Sequence, residues 1–357
     1  MKITEPYYLF AEPLKYYQAM IEDIESAKKY IYLQTFRVGK DIIGDRFRQA
    51  LTKKAKEGVE VKLLIDYWGA GSINADYFKV LTKNNGEVRF FQKIIFNSDI
   101  FTRSHKRNHR KLLLIDDEIT YIGSSNITGY NLNWRESVLR MKSEITIDFV
   151  KIFKQDFRNF NKYNINTQGR TALLKTHNFE IVRDAPSIAF KKINNKFIKL
   201  IKSAKESVTI ETPYFLPGFL LRKALMDAAQ RGVDVKIILP KQSDVTLIDI
   251  LRNKYLGPLN NKGIQFLFYQ LNNLHAKLLL IDKSVFAIGS SNFDYRSFRY
   301  MYEIILVGSN EDIANQLHQH TIRTLDDAQE FNYSAWKKRP LINKIFEWSL
   351  VPFRHLL

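Results

Sequence analysis

Two stretches of this chain constrain its fold more than any other feature. Residues 109–126 read HRKLLLIDDEITYIGSSN and residues 275–292 read HAKLLLIDKSVFAIGSSN. His109, Lys111, Asp116, Gly123, Ser124 and Asn126 recur as His275, Lys277, Asp282, Gly289, Ser290 and Asn292, each 166 residues later. At about one in twenty per position, six fixed matches arise by chance about 10⁻⁸ of the time per starting point. Chance is excluded, and the chain must fold as a duplication.

The local pattern says what is duplicated. The apolar run Leu112 to Ile115, bounded by charges, predicts a buried strand, and Tyr121 and Ile122 open a second one after a turn at Asp116-Asp117. Residues two apart on a strand share a face. His109 and Lys111 therefore project together, with Ser124 and Asn126 returning nearby. An imidazole, an ammonium, a hydroxyl and an amide make a phosphate site. A repeat kept for packing accounts for the LLLID segments but not for this polar set.

The repeat extends beyond the two blocks. Ser26-Ala27-Lys28 matches Ser203-Ala204-Lys205, and Gly58 to Lys62 (GVEVK) matches Gly232 to Lys236 (GVDVK). Helical periodicity over 14–29, YIYLQTF, a helical run ending at Gly58 and the strand-like VEVKLLID give β-α-β order; IKLIKSAKES, VTIETPYF, GFLLRKALMDAAQRG and VDVKIILP repeat it. Such ordering predicts an α/β fold with a parallel or mixed sheet in each half. The polar stretch NKYNINTQGRTALLK at 161–175 marks the boundary, dividing the chain into residues 1–165, residues 166–335 and a tail at 336–357.

Composition narrows the function classes. The 357 residues contain no cysteine, which excludes a thiol nucleophile, a thiolate metal site and a disulfide framework. A 45% hydrophobic fraction supports an extensive core. The formal net charge of +18 points to polyanionic partners, either nucleic acid or anionic lipid headgroups. No run approaches the ~20 apolar residues of a membrane span. The N-terminal MKITEPYYLFAEPLKYYQ has Glu5, Glu12 and two prolines where a secretory signal would be apolar. A soluble or peripheral cytoplasmic protein is expected.

A phosphodiester repels nucleophiles and has a poor alkoxide leaving group, so an enzyme working without a metal needs cations, a nucleophile and an acid. Histidine, with an ordinary pKa of about 6.5, serves as either nucleophile or acid. His109 and His275 facing one phosphorus would supply both, one forming a phosphohistidine and the other protonating the departing alcohol. Lys111 and Lys277 would hold the phosphate oxygens as point charges, with Ser124, Asn126, Ser290 and Asn292 as neutral donors. Glu136 and Glu303, ten and eleven residues past the two asparagines, are candidates to orient the imidazoles. Asp116 and Asp282 end the apolar strands and are candidates for the site or for capping the turn. Two histidines with intervening lysines make a poor zinc set, so no metal and no cofactor is expected.

The two blocks resemble the paired H-x-K-x4-D-x6-G-S-x-N signature of the phospholipase D superfamily. WRESVLR at 134–140, TPYFLPGFLLRKALMDAAQRGVDVKIILP at 212–240 and SSNFDYRSFRYMYE at 290–303 narrow the resemblance to bacterial cardiolipin synthases. The resemblance implies a pseudo-twofold α/β arrangement with two mixed sheets flanked by helices. It implies an active site between the halves and metal-independent phosphatidyl transfer through phosphohistidine. It also implies that His109, Lys111, Asn126, His275, Lys277 and Asn292 form the core of the site, with Glu136 and Glu303 as the orienting carboxylates. The family usually carries a pair of N-terminal membrane helices; this sequence opens directly on the catalytic region, so constitutive membrane insertion is not expected. Membrane contact would then be peripheral, at the inner face of the cell membrane. The tail RPLINKIFEWSLVPFRHLL, beside Lys337, Lys338 and Arg339, is one candidate for it. The basic stretch FNSDIFTRSHKRNHR at 96–110 is a second, placed to draw headgroups towards His109. Phospholipid hydrolysis and nuclease action remain alternatives for the same chemistry, and the oligomeric state stays open.

Overall fold

The computed structural model describes residues 3–71, 73–92, 106–161, 174–176, 178–187 and 190–352. The first half contributes β1 (Tyr7–Phe10), α1 (Pro13–Ser26), β2 (Tyr30–Thr35), α2 (Ile42–Lys56), β3 (Glu60–Asp66), α3 (Lys79–Lys83), β4 (Glu87–Phe91), β5 (Arg107–Asn108), β6 (Leu112–Ile115), β7 (Ile119–Gly123), β8 (Val138–Lys142) and α4 (Thr146–Arg158). The second contributes β9 (Leu174–Thr176), β10 (Phe179–Asp184), α5 (Lys192–Ser203), β11 (Ser207–Glu211), β12 (Phe215–Leu216), α6 (Phe219–Gln230), β13 (Asp234–Pro240), α7 (Thr246–Asn260), β14 (Ile264–Tyr269), β15 (Leu278–Ile281), β16 (Val285–Gly289), β17 (Phe293–Asp294), α8 (Tyr295–Tyr300), β18 (Met301–Gly308) and α9 (Glu311–Asp326). Then follow β19 (Ala328–Glu330), α10 (Tyr333–Lys337) and α11 (Leu341–Ser349).

The duplication is visible in the strand order. One sheet runs β1-β8-β7-β6-β2-β3-β4; the other contains β10-β18-β16-β15-β11-β13-β14, the same path position by position, with β9 and β19 added at its edges. Both are mixed: β2 pairs parallel with β3 and antiparallel with β6, as β11 does with β13 and β15. Gly58 and Gly232 both sit at φ +88°, the left-handed position that ends a helix before the next strand.

Each LLLI run is buried on both faces, and strand alternation divides its side chains between two cores. Leu113 and Ile115 pack under α1 and α2, while Leu112 and Leu114 face the other half. Leu279 and Ile281 pack under α5, α6 and α7, while Leu278 and Leu280 meet Leu112, Leu114, Phe149 and Leu317 in the shared core between the sheets. That shared core fixes how the halves sit. Full burial of a side chain of this size contributes roughly 1.5–3 kcal/mol.

Arg107 and Arg110, which the sequence placed in an entrance loop, are instead buried and structural. Arg107 is fully buried and paired with the equally buried Asp66, 2.9 Å away. Arg110 pairs with Asp156 and donates to the backbone oxygens of Glu303 and Asp184. Residues 96–105 of that stretch lie outside the described residues. In the tail, α11 turns Glu347 inward to Arg339 and leaves Leu341, Ile342, Ile345 and Trp348 exposed.

Candidate active site

Strand pairing brings the two histidines to the seam. Gln34 is opposite Leu112 and Glu211 is opposite Leu278, so His109 and His275, three residues earlier, lie just beyond the C-terminal ends of β2 and β11. There the halves exchange backbone bonds. The His109 N–H donates to the Tyr302 carbonyl at 3.0 Å, and the His275 N–H to the Arg135 carbonyl at 2.7 Å. Each acceptor immediately precedes a glutamate. β5 pairs parallel with β18, and Arg135 bridges to Leu274.

The carboxylates consequently cross. Glu303 Oε1 lies 2.9 Å from His109 Nδ1, and both oxygens of Glu136 lie 2.9–3.1 Å from His275 Nδ1. Both glutamates have no exposed surface. The sequence supplied a carboxylate for each imidazole; the fold supplies it from the opposite half. With Nδ1 held by its carboxylate, Nε2 is the remaining ring nitrogen of each histidine. Lys111 Nζ donates to the His109 carbonyl at 2.8 Å, and Lys277 Nζ lies 3.0 Å from His275 Nε2. Asn126 and Asn292 each keep a buried side-chain oxygen without a partner among the described residues.

Four of the predicted residues sit elsewhere in function. Ser124 donates to Glu136 and accepts from the Ser137 N–H; Ser290 does the same with Glu303 and the Ile304 N–H. These hydroxyls buttress the carboxylates and are spent there, so they are not phosphate donors. Asp116 takes the N–H groups of Lys28, Lys29 and Tyr30, and Asp282 those of Lys205, Glu206 and Ser207. They anchor the starts of β2 and β11, roughly 20 Å of strand from the histidines at ~3.3 Å per residue. The positive φ of both aspartates and of Asp117 and Lys283 belongs to these tight turns.

Burial sets the electrostatics. It pushes His109 well below its usual pKa, with the charges of Lys111 and Lys277 adding to the effect, and it lowers His275 against the opposing pull of Glu136. Burial also takes Lys111 down to about 7 and Lys277 to about 8. The glutamates diverge. Burial alone would raise Glu136, but His275 and Lys277 hold it below the ordinary carboxylate value, whereas burial lifts Glu303 to about 7. Asp294, buried near Glu303, is itself raised to about 6 by burial, with the charge of Glu303 adding to it. The sequence reading missed Asp294. Its signal was a break in the repeat, since the position 166 residues earlier is Thr128. Trp134 against His275 (5.0 Å between ring centres) and Phe36 against His109 (5.5 Å) complete the walls and were also missed.

A family model described as the phospholipase D-like domain of cardiolipin synthase matches residues 20–160 and 197–325. The chain belongs to this family. A cardiolipin synthase of Clostridium perfringens is 32% identical over 355 residues, covering 95% of this chain and 74% of the relative. Cardiolipin synthase 1 of Staphylococcus epidermidis is also 32% identical, over 95% of this chain and 71% of its own length. Among solved structures, the phosphatidylserine synthase of Haemophilus influenzae superposes with a TM-score of 0.82 over 99% of this chain and 96% of that one, at 15% identity. The chain therefore shares the fold of that synthase, and this family member is an enzyme with both motifs complete.

Proposed function

We propose that this enzyme transfers a phosphatidyl group between phospholipids in the manner of its cardiolipin synthase relatives, for example joining two phosphatidylglycerols into cardiolipin and releasing glycerol. The observation that carries the reading is the crossed pair of Glu–His dyads around a Lys111/Lys277 cation pair. His109 Nε2 attacks phosphorus, the bond from phosphorus to the leaving alcohol oxygen breaks, and His275 gives that oxygen its proton. In the second half-reaction His275 takes the proton of the incoming alcohol, whose oxygen attacks phosphorus and breaks the P–N bond. The lysines neutralise the phosphate oxygens, so no metal is assigned a role. His109 is given the attack because it is the imidazole held most firmly neutral. His275, backed by the ionised Glu136, more readily carries a proton.

No helix among the described residues is long and apolar enough to cross a membrane. With a +18 chain and an anionic lipid substrate, peripheral work at the inner face of the cell membrane follows as part of the same proposal. The test is mass spectrometry of products after purified protein meets phosphatidylglycerol vesicles, with single-stranded and duplex DNA in parallel and chelator in a matched set. Cardiolipin and glycerol, formed with chelator present, are expected. Phosphatidic acid as the sole product would make the enzyme a hydrolase, and cleaved DNA with untouched lipid would make it a nuclease.

A further inference from the structure

Large apolar side chains are left in solvent around the mouth of the site. Ile42 opens α2 after β2, and Trp68 follows β3. Phe219 and Leu220 open α6 after β12, and Leu271 follows β14. Tyr130 lies in the loop after Asn126. All six are more than half exposed, Trp68 at 57%, Phe219 at 64% and Leu271 at 61%. Exposed apolar residues scattered singly need no explanation; a group sharing one edge does.

Contacts tie these residues to the catalytic edge. Asp66 accepts from the Trp68 N–H and from the Asn108 N–H beside His109. Asp41, next to Ile42, accepts from the Gly129 N–H, and Tyr130 packs on Trp134, which packs on His275. Leu271 lies four residues before His275. β12, just before Phe219, pairs with β17, which begins after Asn292. The two halves contribute at matching places, since Ile42 and Phe219 are each the first residue of the helix that follows β2 or β12. Exposed Arg37 and Lys40 stand in the loop before Ile42, and exposed Lys241 follows β13, its N–H bonded to the Tyr269 carbonyl at the end of β14.

We infer that this rim is the membrane-docking surface, seated in the headgroup region of an anionic bilayer so that the mouth opens directly onto lipid. The inference rests on the proposed lipid substrate and adds to it how that substrate is reached. Apolar side chains interleaved with cations fit an anionic interface. They fit a second copy of this chain poorly, because two +18 molecules repel.

The absence of cysteine makes the test clean. Single-cysteine forms of the full chain (Trp68→Cys, Leu220→Cys, Leu271→Cys, with Trp348→Cys on α11 and Glu206→Cys at the far edge) carry an environment-sensitive fluorophore. They are mixed with phosphatidylglycerol or phosphatidylcholine vesicles, and turnover of a dispersed short-chain phosphatidylglycerol is measured alongside. Blue shifts at positions 68, 220 and 271 with phosphatidylglycerol vesicles, and none at 206, are expected. Trp68→Asp and Phe219→Asp should each weaken vesicle binding about tenfold while short-chain turnover persists. Vesicle binding with a shift at 348 and none at the rim overturns the inference, as does a rim shift with rising protein concentration and no vesicles. In the unsubstituted chain, short-chain turnover with no binding to phosphatidylglycerol vesicles also overturns it and leaves the proposed reaction intact; absence there of both vesicle binding and short-chain turnover strikes the reaction itself.

Discussion

Glu136→Gln tests whether a carboxylate from one half governs the proton on the histidine of the other. Gln keeps the shape, and its amide can still bond Asn131 and Ser124, so the fold should hold. What is lost is a charge beside His275 Nδ1 at 2.9 Å, in a site without exposed surface. Charge centres in such a pair lie about 4 Å apart, which at an effective dielectric near 20 is worth about 4 kcal/mol for the imidazolium form. At ~1.4 kcal/mol per decade this predicts a fall in kcat on phosphatidylglycerol of about 10³-fold. Glu136 is also the group that raises His275, so its removal shifts the acid-requiring limb of the pH profile to lower pH. The decisive assay replaces the leaving alcohol by nitrophenolate, which departs without a proton. The burst of nitrophenolate, reading the first half-reaction alone, should fall less than about tenfold in the variant. Equal losses on both substrates, or a loss below tenfold on phosphatidylglycerol, would refute the role assigned to the crossed dyad.

Asp282→Ala removes the acceptor for three backbone N–H groups and should cost about 2 kcal/mol in denaturant unfolding, with kcat of the folded protein unchanged. Burial would raise the Asp282 carboxyl, yet those three donors hold it low; its contribution is complete above its ordinary value and disappears as pH falls through the lowered one. Lys111→Met should abolish turnover yet raise Tm by about a few degrees at pH 6. Lys111 titrates at about 7 when folded against 10.5 free, so the cost of burying its charge is full below pH 7. A pH series of melting curves should show that gain shrinking as pH rises towards 10. Arg107→Ala strands the buried Asp66 carboxylate and should cost about 3–5 kcal/mol, largely restored by adding Asp66→Asn. A changed KM with unchanged stability would return Arg107 to the entrance role read from sequence.

The duplication, the LLLI strands and the meeting of two H-x-K motifs were legible because each follows from a repeat and strand periodicity. What was not legible shares one cause: a linear repeat records that positions recur, not why. Asp116 and Asp282 recur because each turn must anchor the start of the neighbouring strand, and Ser124 and Ser290 because each glutamate needs a donor behind it. The crossing of the glutamates could not be read from their spacing, since period-two alternation orders side chains only along their own strand. Arg107 looked like a solvated loop charge because its partner, Asp66, is 41 residues away and becomes adjacent only when β3 and β5 approach. Asp294 was hidden for the opposite reason, lying where the repeat breaks, and attention to matched positions passes over a mismatch.

The crossed dyads also make folding and catalysis depend on one interface. Arg110 of the first half bonds the carbonyls of Glu303 and Asp184 in the second, and Arg135 reaches across to the His320 carbonyl and the Thr324 hydroxyl on α9. Beneath them lies the shared core of Leu112, Leu114, Leu278 and Leu280. A half on its own would expose that core face and leave its histidine without a carboxylate, so neither half can hold a working dyad. In the proposed reaction symmetry is kept where the ligand is symmetric, since a phosphodiester offers two equivalent non-bridging oxygens for Lys111 and Lys277 to meet. It would be broken where that proposed reaction is not symmetric, because attack and proton delivery are different tasks. Asp294 stands where the first half has Thr128, and the charge coupling between it and Glu303 adds to the burial that lifts both carboxyls. The ionised Glu136 can then sustain a positive His275, while Glu303, lifted to about 7, does less to charge His109. Asp294→Thr should therefore bring Glu303 down towards Glu136 and make the pH responses of the two histidines more alike, which ring-proton NMR of each histidine would read directly.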